Sequence, residues 1–254
     1  MSKKLAAGAH VIVLDVKTGS GAFMREPDQA RALAAAMVDI GTSAGRRMAA
    51  VVSDMSQPLG RAVGNALEVA EVLDTLAGLG PPELTDFGLE LAATIVALAT
   101  DGTAGRPDVE RALTSGAALR TLRRMVEAQG GDTAAFDDRT RLPTATRQQP
   151  VLAEHSGYVV RLDALTIAHA SIALGAGRER KGDPIDLSVG IVLQTKVGDK
   201  VERGQPVAIL HGNDPRRLAQ AERILASGVE VSSQPCAPSP LILERLGSRA
   251  AQPG

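Results

Sequence analysis

The sequence predicts an α/β fold, a partial parallel sheet with helices, followed by a smaller α+β, β-rich C-terminal domain. Residues 10–16 and 47–53 are short apolar runs, and the alanine-rich stretch 28–45 between them is helical in character. That is the pattern of a strand–helix–strand unit. Residues 130–150 then lose periodicity and gather Asp, Thr, Arg, Gln and Pro, as domain boundaries do. Beyond them, short apolar strands alternate with glycine turns, which argues a β-rich module. The expected division is 1–137 for the α/β domain, 138–153 for a linker, 154–246 for the C-terminal domain and 247–254 for a loose tail.

Residues 10–16 read as a strand buried on both faces, the kind found in parallel sheets. They run into a glycine-rich turn at 17–23. Its Gly19-Ser20-Gly21 lacks the lysine and following Ser/Thr of a phosphate loop, so it reads as a tight turn. Pro27 suits a first helical turn. Parallel sheets hold ligands at the carboxyl ends of their strands, which places the turns 17–23 and 54–64 on one functional edge. Residues 83–100 are apolar on most faces and read as a buried helix. Pro107 and Asp108 open another, and 117–129 make one more with Arg120, Arg123 and Arg124 on a solvated polar side. Past the boundary, 156–162 is strand-like and 163–174 is a helix capped by Asp163. Residues 185–194 and 207–211 read as strands, 215–226 as a helix, and 229–231 as the last short strand.

The densest stretch is 53–71. Pro58 breaks the strand, Gly60 and Gly64 allow close backbone approach, and Asn65 can cap a helix with Glu68 as its capping-box partner. Val69, Val72, Leu73 and Leu76 make an apolar stripe, which leaves Glu68 and Glu71 together on another side. Acids in a first helical turn also simply favour the positive end of the helix dipole, so solvated charge is the plain alternative.

Composition excludes several classes. The net charge is −1 and the pI near 6.4, which gives no footprint for nucleic acid or an anionic membrane. Aromatic residues are 2%, too few for base-stacking platforms of the single-strand-binding kind. Cys236 is the single cysteine, so no internal disulfide or cysteine metal cluster can form, and a reducing, cytoplasmic setting is expected. No run is long enough to cross a bilayer. His10, His155, His169 and His211 share no spacing and read as incidental.

Three spaced blocks carry a resemblance. The first is Met1-Ser-Lys-Lys-Leu-Ala-Ala-Gly-Ala with Val13-Leu-Asp-Val-Lys-Thr-Gly-Ser-Gly-Ala-Phe-Met24. The second is Met55-Ser-Gln-Pro-Leu-Gly-Arg-Ala-Val-Gly-Asn-Ala-Leu-Glu-Val-Ala-Glu71. The third runs from Gly175-Ala-Gly-Arg178 through Asp183-Pro-Ile-Asp186 to Val189-Gly-Ile191. Together they resemble the thymidine and pyrimidine-nucleoside phosphorylases. The resemblance implies phosphate-dependent cleavage of a pyrimidine nucleoside to free base and pentose 1-phosphate, with inorganic phosphate as co-substrate and no cofactor for the chemistry. It implies a homodimer, with pyrimidine nucleoside and phosphate as partners. By position, Lys3 matches a lysine that contacts the pyrimidine ring, and Phe23 matches a residue lining the base pocket, where core packing is an equal expectation. Leu59, Ala62 and Glu71 match a structural cation site of two backbone carbonyls and a carboxylate, suited to potassium or calcium. From strand alternation, Asp15 and Lys17 share a side, and Asp15 is expected to help orient Lys3.

The resemblance also implies that family members carry a helical lobe, most dimer contacts and a phosphate-holding loop ahead of the position of Met1. The expectation is therefore a truncated, inactive chain, with a non-catalytic binding or assembly subunit as the alternative. The run Val197-Gly-Asp-Lys-Val…Gly204-Gln-Pro-Val207 also resembles the hammerhead strands of lipoyl and biotin carriers, but lacks their lysine-centred attachment turn.

Overall fold

The computed structural model describes residues 1–247, which fall into two compact units. Residues 1–55, 82–117 and those from 239 onward form the first, and 56–81 with 118–238 form the second. The units interleave along the chain and cut across the 138–153 boundary read from composition.

The first unit is organised on a three-stranded sheet. After a short helix α1 (Ser2–Ala6), β1 (Val11–Thr18) runs parallel to β2 (Arg47–Asp54), with α2 (Pro27–Ser43) as the crossover. This is the expected strand–helix–strand unit. Ile12, Leu14 and Val16 of β1 and Met48, Ala50 and Val52 of β2 pack against Ala30 and Ala34 of α2. The helix rides close to the sheet because Gly41 has no side chain: a Cβ there would lie 2.4 Å from the Met48 sulfur. On the other face, α4 (Pro82–Ala99) packs on β1 and β2. Helices on both faces leave β2 buried almost throughout. β1 differs from expectation: only Ile12, Leu14, Val16 and Thr18 are buried. As an edge strand it has a neighbour on one side only.

Helix α4 refines the sequence reading of a buried helix that is apolar on most faces. It fully buries one stripe, Phe87, Glu90, Thr94 and Leu98, at helical steps of three and four. α5 (Arg106–Thr114) starts at Gly105, whose N–H donates to Asp108 Oδ2 at 2.8 Å. The third strand, β10 (Ile242–Gly247), joins β2 antiparallel and was missed in the sequence. Its alternation sends Glu244 to Arg31 on α2 (2.5 Å) and Arg245 to Glu90 on α4 (2.8 Å). Gly247 ends this strand; the rest of the expected loose tail lies outside the described residues.

The second unit holds two antiparallel sheets. In the larger, β3 (Ala62–Gly64), β6 (Gly190–Leu193), β8 (Pro206–Gly212) and β4 (Arg147–Leu152) lie in the order β3-β6-β8-β4. The smaller has the order β7-β5-β9, from Lys200–Val201, Gly157–Leu162 and Val229–Ser232. Pro150 sits inside β4, a strand absent from the sequence reading, and is tolerated because β4 is an edge. Residues 185–189, read as strand, are not one; pairing begins only at Gly190. α3 (Asn65–Leu76), α6 (Ala117–Ala128), α7 (Ala164–Leu174) and α8 (Pro215–Ser227) complete the unit. Asp163 caps α7 as expected, accepting from Thr166 N at 2.8 Å, and Gly175 ends it in the left-handed conformation. Ile167, Leu174, Val189, Ile191, Leu210 and Leu225 belong to one continuous core.

Candidate functional site

In the first unit, the carboxyl ends of the two parallel strands open into turns that begin side by side. Met55 N donates to Thr18 O at 2.7 Å, and Gly21 N donates to Met55 O at 2.9 Å. Under this edge, Asp15 and Lys17 form an ion pair at 2.7 Å, each side chain about a quarter exposed. Ser53 Oγ donates to the other Asp15 oxygen at 2.5 Å, and the Lys17 ammonium sits 4.4 Å from the centre of the Phe87 ring. The strand alternation that predicted the Asp15–Lys17 pair is correct. The further expectation that Asp15 orients Lys3 finds no direct contact: among the described residues no hydrogen bond or ion pair joins them. Lys17 is two residues along the same strand and reaches Asp15 first. Lys3 lies exposed on α1. Phe23 is 100% exposed, so the core-packing alternative for it is wrong: the tight turn carries its ring away from the sheet.

In the second unit, the turn 57–62 is gripped from several directions. Glu71 Oε1 accepts the N–H groups of Arg61 (2.9 Å) and Ala62 (3.1 Å). Lys196, 7% exposed, donates from Nζ to the carbonyls of Pro58 and Gly60, the latter at 2.9 Å. Val197 N donates to the Gln57 side chain at 3.1 Å, and Arg61 Nη1 donates to Gln194 O at 2.8 Å. The expected solvated role for Glu71 is therefore overturned: orphan amides at a strand entrance attract its carboxylate.

The same contacts test the cation ligands. Among the described residues no three His, Cys, Asp or Glu side chains come together as a metal-binding group. The site in question would use carbonyls instead. Ala62 faces Val192 in the β3–β6 ladder, and the flanking pair carries the bond from Leu193 N to Arg61 O. Ala62 thus holds the non-bonded position, and its carbonyl points off the open edge of the sheet. Lys196 takes the carbonyls of Pro58 and Gly60, on either side of Leu59. One oxygen of Glu71 is engaged by amides. Two carbonyls and a carboxylate oxygen are of the donor type that potassium and calcium take, though three of them make up only part of such an ion's coordination.

The start of α3 corrects a capping prediction. The N-cap is Gly64, not Asn65, and Glu68 Oε1 accepts from Gly64 N at 2.9 Å. Asn65 instead donates from Nδ2 to Ala176 O at 2.9 Å, tying α3 to the end of α7. Gly64 and Gly190 pair across β3 and β6 so closely that a Cβ on Gly190 would lie 2.5 Å from Val63 O. Of the stripe read on α3, Leu73 is buried, but Val69 and Val72 are 47% and 44% exposed. They line a cavity of about 840 Å³ with Leu122, Val126, Phe136 and Ile172. Sequence periodicity locates such a face without saying that it stays uncovered.

Of the three arginines on α6, Arg123 pairs with Asp137 at 2.5 Å and lies over the Phe136 ring. Burial alone holds the His211 imidazole below its ordinary pKa, consistent with a structural place in β8. Lys196, just before the hammerhead-like run, is buried against backbone carbonyls, whereas Lys200 within the run is exposed on the short strand β7.

Comparison with known proteins identifies the family. The family described as "Glycosyl transferase family, a/b domain" matches residues 1–119, and "Pyrimidine nucleoside phosphorylase C-terminal domain" matches residues 158–232. The chain is 51% identical over 216 residues to a pyrimidine-nucleoside phosphorylase of Staphylococcus aureus (strain USA300), covering 84% of this chain and 50% of that protein. It is 48% identical over 242 residues to one of Staphylococcus haemolyticus (strain JCSC1435), covering 94% and 56% respectively. The chain belongs to the pyrimidine-nucleoside phosphorylase family. It spans about half the length of the curated relatives it matches. The three sequence blocks that resemble this family fall on α1 with β1 and its turn, on the turn 57–62 with α3, and on the approach to β6. The first two blocks hold much of the two constellations above, while Ser53, Phe87 and Lys196 lie outside all three.

Proposed function

We propose that the chain forms part of a pyrimidine-nucleoside phosphorylase, which cleaves the N-glycosidic bond with inorganic phosphate to give free base and ribose or deoxyribose 1-phosphate. The observation that carries this reading is the pair of family matches, in order along the chain, with relatives about half identical over most of it. In this reaction a phosphate oxygen bonds to the anomeric carbon while the bond to the base nitrogen breaks. The electron pair leaves with the base, and a cation near the ring lowers the cost of that charge. Lys3 is the proposed cation and Phe23 the proposed wall of the base pocket. The exposure of both is consistent with side chains available to a ligand. Asp15 acts one step removed, by holding Lys17 and Ser53 at the strand ends.

Phosphate is the proposed co-substrate. A potassium or calcium ion held by Leu59 and Ala62 carbonyls and Glu71 is proposed as a structural group; its positive charge would fasten the turn 57–62 to α3. A cytoplasmic homodimer is the proposed working state.

Calorimetric titration with thymine and uracil tests the base-site assignments. Lys3→Met and Phe23→Ala should each weaken base binding by about tenfold, the worth of one charge-assisted bond or one aromatic wall. Asp15→Asn should weaken it by about threefold, since its carboxylate touches Lys17 and not Lys3. Unchanged affinity in Lys3→Met would remove Lys3 from the site.

A further inference from the structure

Lys196 is a buried cation that the proposed chemistry does not use. Its ammonium lies against the Pro58 and Gly60 carbonyls, and both of those residues are themselves buried. Burying a lysine costs free energy unless every exposed donor finds an acceptor, and burying carbonyls costs it unless they find donors. Here each need answers the other. The lysine is in turn fixed by its own turn: Lys196 N donates to Asp199 Oδ2 at 2.9 Å, and Asp199 N donates to Lys196 O at 3.0 Å. Glu71 fixes the Arg61 and Ala62 amides of the same loop. The loop is therefore clamped by a positive group on its carbonyls and a negative group on its amides.

We infer that Lys196 is a positioning residue, a built-in cation that preforms the turn 57–62 before any inorganic ion binds. It gathers the Pro58 and Gly60 carbonyls and, by fixing the backbone between and beside them, sets those of Leu59 and Ala62, the proposed ion ligands. An ion entering a preformed set of ligands spares the ordering cost that a loose loop would impose. The inference draws its functional meaning from the proposed ion site, but the clamp itself can be tested apart from it.

The test is residue-resolved hydrogen exchange on the 254-residue chain in potassium- and calcium-free buffer. The Arg61 and Ala62 amides report on the turn, and the Ile191 and Leu210 amides of the central strands serve as core controls. In the unaltered chain, the Arg61 and Ala62 amides should be protected without added ion. In Lys196→Met, their protection should fall by about tenfold or more, while that of Ile191 and Leu210 changes far less. Lys196→Arg, which keeps the charge, should restore most of it. Unprotected Arg61 and Ala62 amides in the ion-free unaltered chain would overturn the inference, and this measurement needs no variant to fold. Equal loss at turn and core in Lys196→Met would also overturn it, since that pattern is general destabilisation. Potassium and calcium titrations of the unaltered chain, read by melting temperature, decide the ion site separately. No shift with either would remove the ion and leave the clamp standing.

Discussion

Gly190→Ala should destabilise the second unit by roughly 3 kcal/mol, from backbone strain and overpacking together. Gly190 has φ of +159° and pairs with Gly64, whose φ is +146°. A Cβ on Gly190 would meet Val63 O at 2.5 Å and Gly64 Cα at 3.1 Å, both backbone atoms that no rotamer change can move. Relief would have to come from parting β3 from β6. That parting would disturb the N-cap of α3 and the turn before it, so the damage should reach the proposed ion ligands. Gly88→Ala is the control. Gly88 is exposed in the middle of α4 with nothing within 4 Å of its missing Cβ, so the same substitution should stabilise by up to about 1 kcal/mol. Urea unfolding of the two variants should thus give shifts of opposite sign. Equal midpoints for Gly190→Ala and the unaltered chain would mean that the β3–β6 approach is looser than described.

Glu90→Ala should cost the first unit about 3 kcal/mol, the low end of the range for breaking a buried ion pair. Glu90 is 8% exposed and receives Arg245 Nη2 at 2.7 Å and Arg106 Nη1 at 3.5 Å. The low end applies because both arginines are more than a third exposed and can regain water. The carboxylate also ties α4 to β10, the strand that closes one edge of β2. Glu90→Gln keeps the volume and one acceptor and should cost about half as much. The loss should appear as faster exchange of β2 and β10 amides, with the second unit little changed. A loss under 1 kcal/mol would show that Arg245 and Glu90 sit as an ordinary surface pair.

The strand–helix–strand unit was legible because two apolar runs flank an alanine-rich helix, and local pattern is enough to specify that motif. The Asp163 cap and the Asp15–Lys17 pair were legible for the same reason, since each depends on spacing within a few residues. β10 was not. Its Glu244 and Arg245 carry no element in the sequence reading, because their partners Arg31 and Glu90 on α2 and α4 lie more than 150 residues away. The cap at Gly64 was missed because Asn65 is the better capping residue in isolation, and only the carbonyl of Ala176 draws it away. Lys196 carried no sequence signal at all. Its role follows from where the chain brings the turn 57–62, and no period or motif encodes that. The candidate base residues Lys3 and Phe23 came from resemblance alone, because an exposed lysine and a turn phenylalanine have no chemical signature of their own.

Phosphorolysis is the activity proposed for the protein that this chain forms part of. The direct measurement is release of free thymine and uracil from thymidine and uridine, with and without phosphate. It should be made on the 254-residue chain and on the same chain fused to the portion of the Staphylococcus aureus relative that it does not match. Base release that requires phosphate and yields a pentose 1-phosphate is expected in at least the fused form. Base release indifferent to phosphate, or none from either form when both are folded, would contradict it and leave a binding or assembly subunit as the better reading.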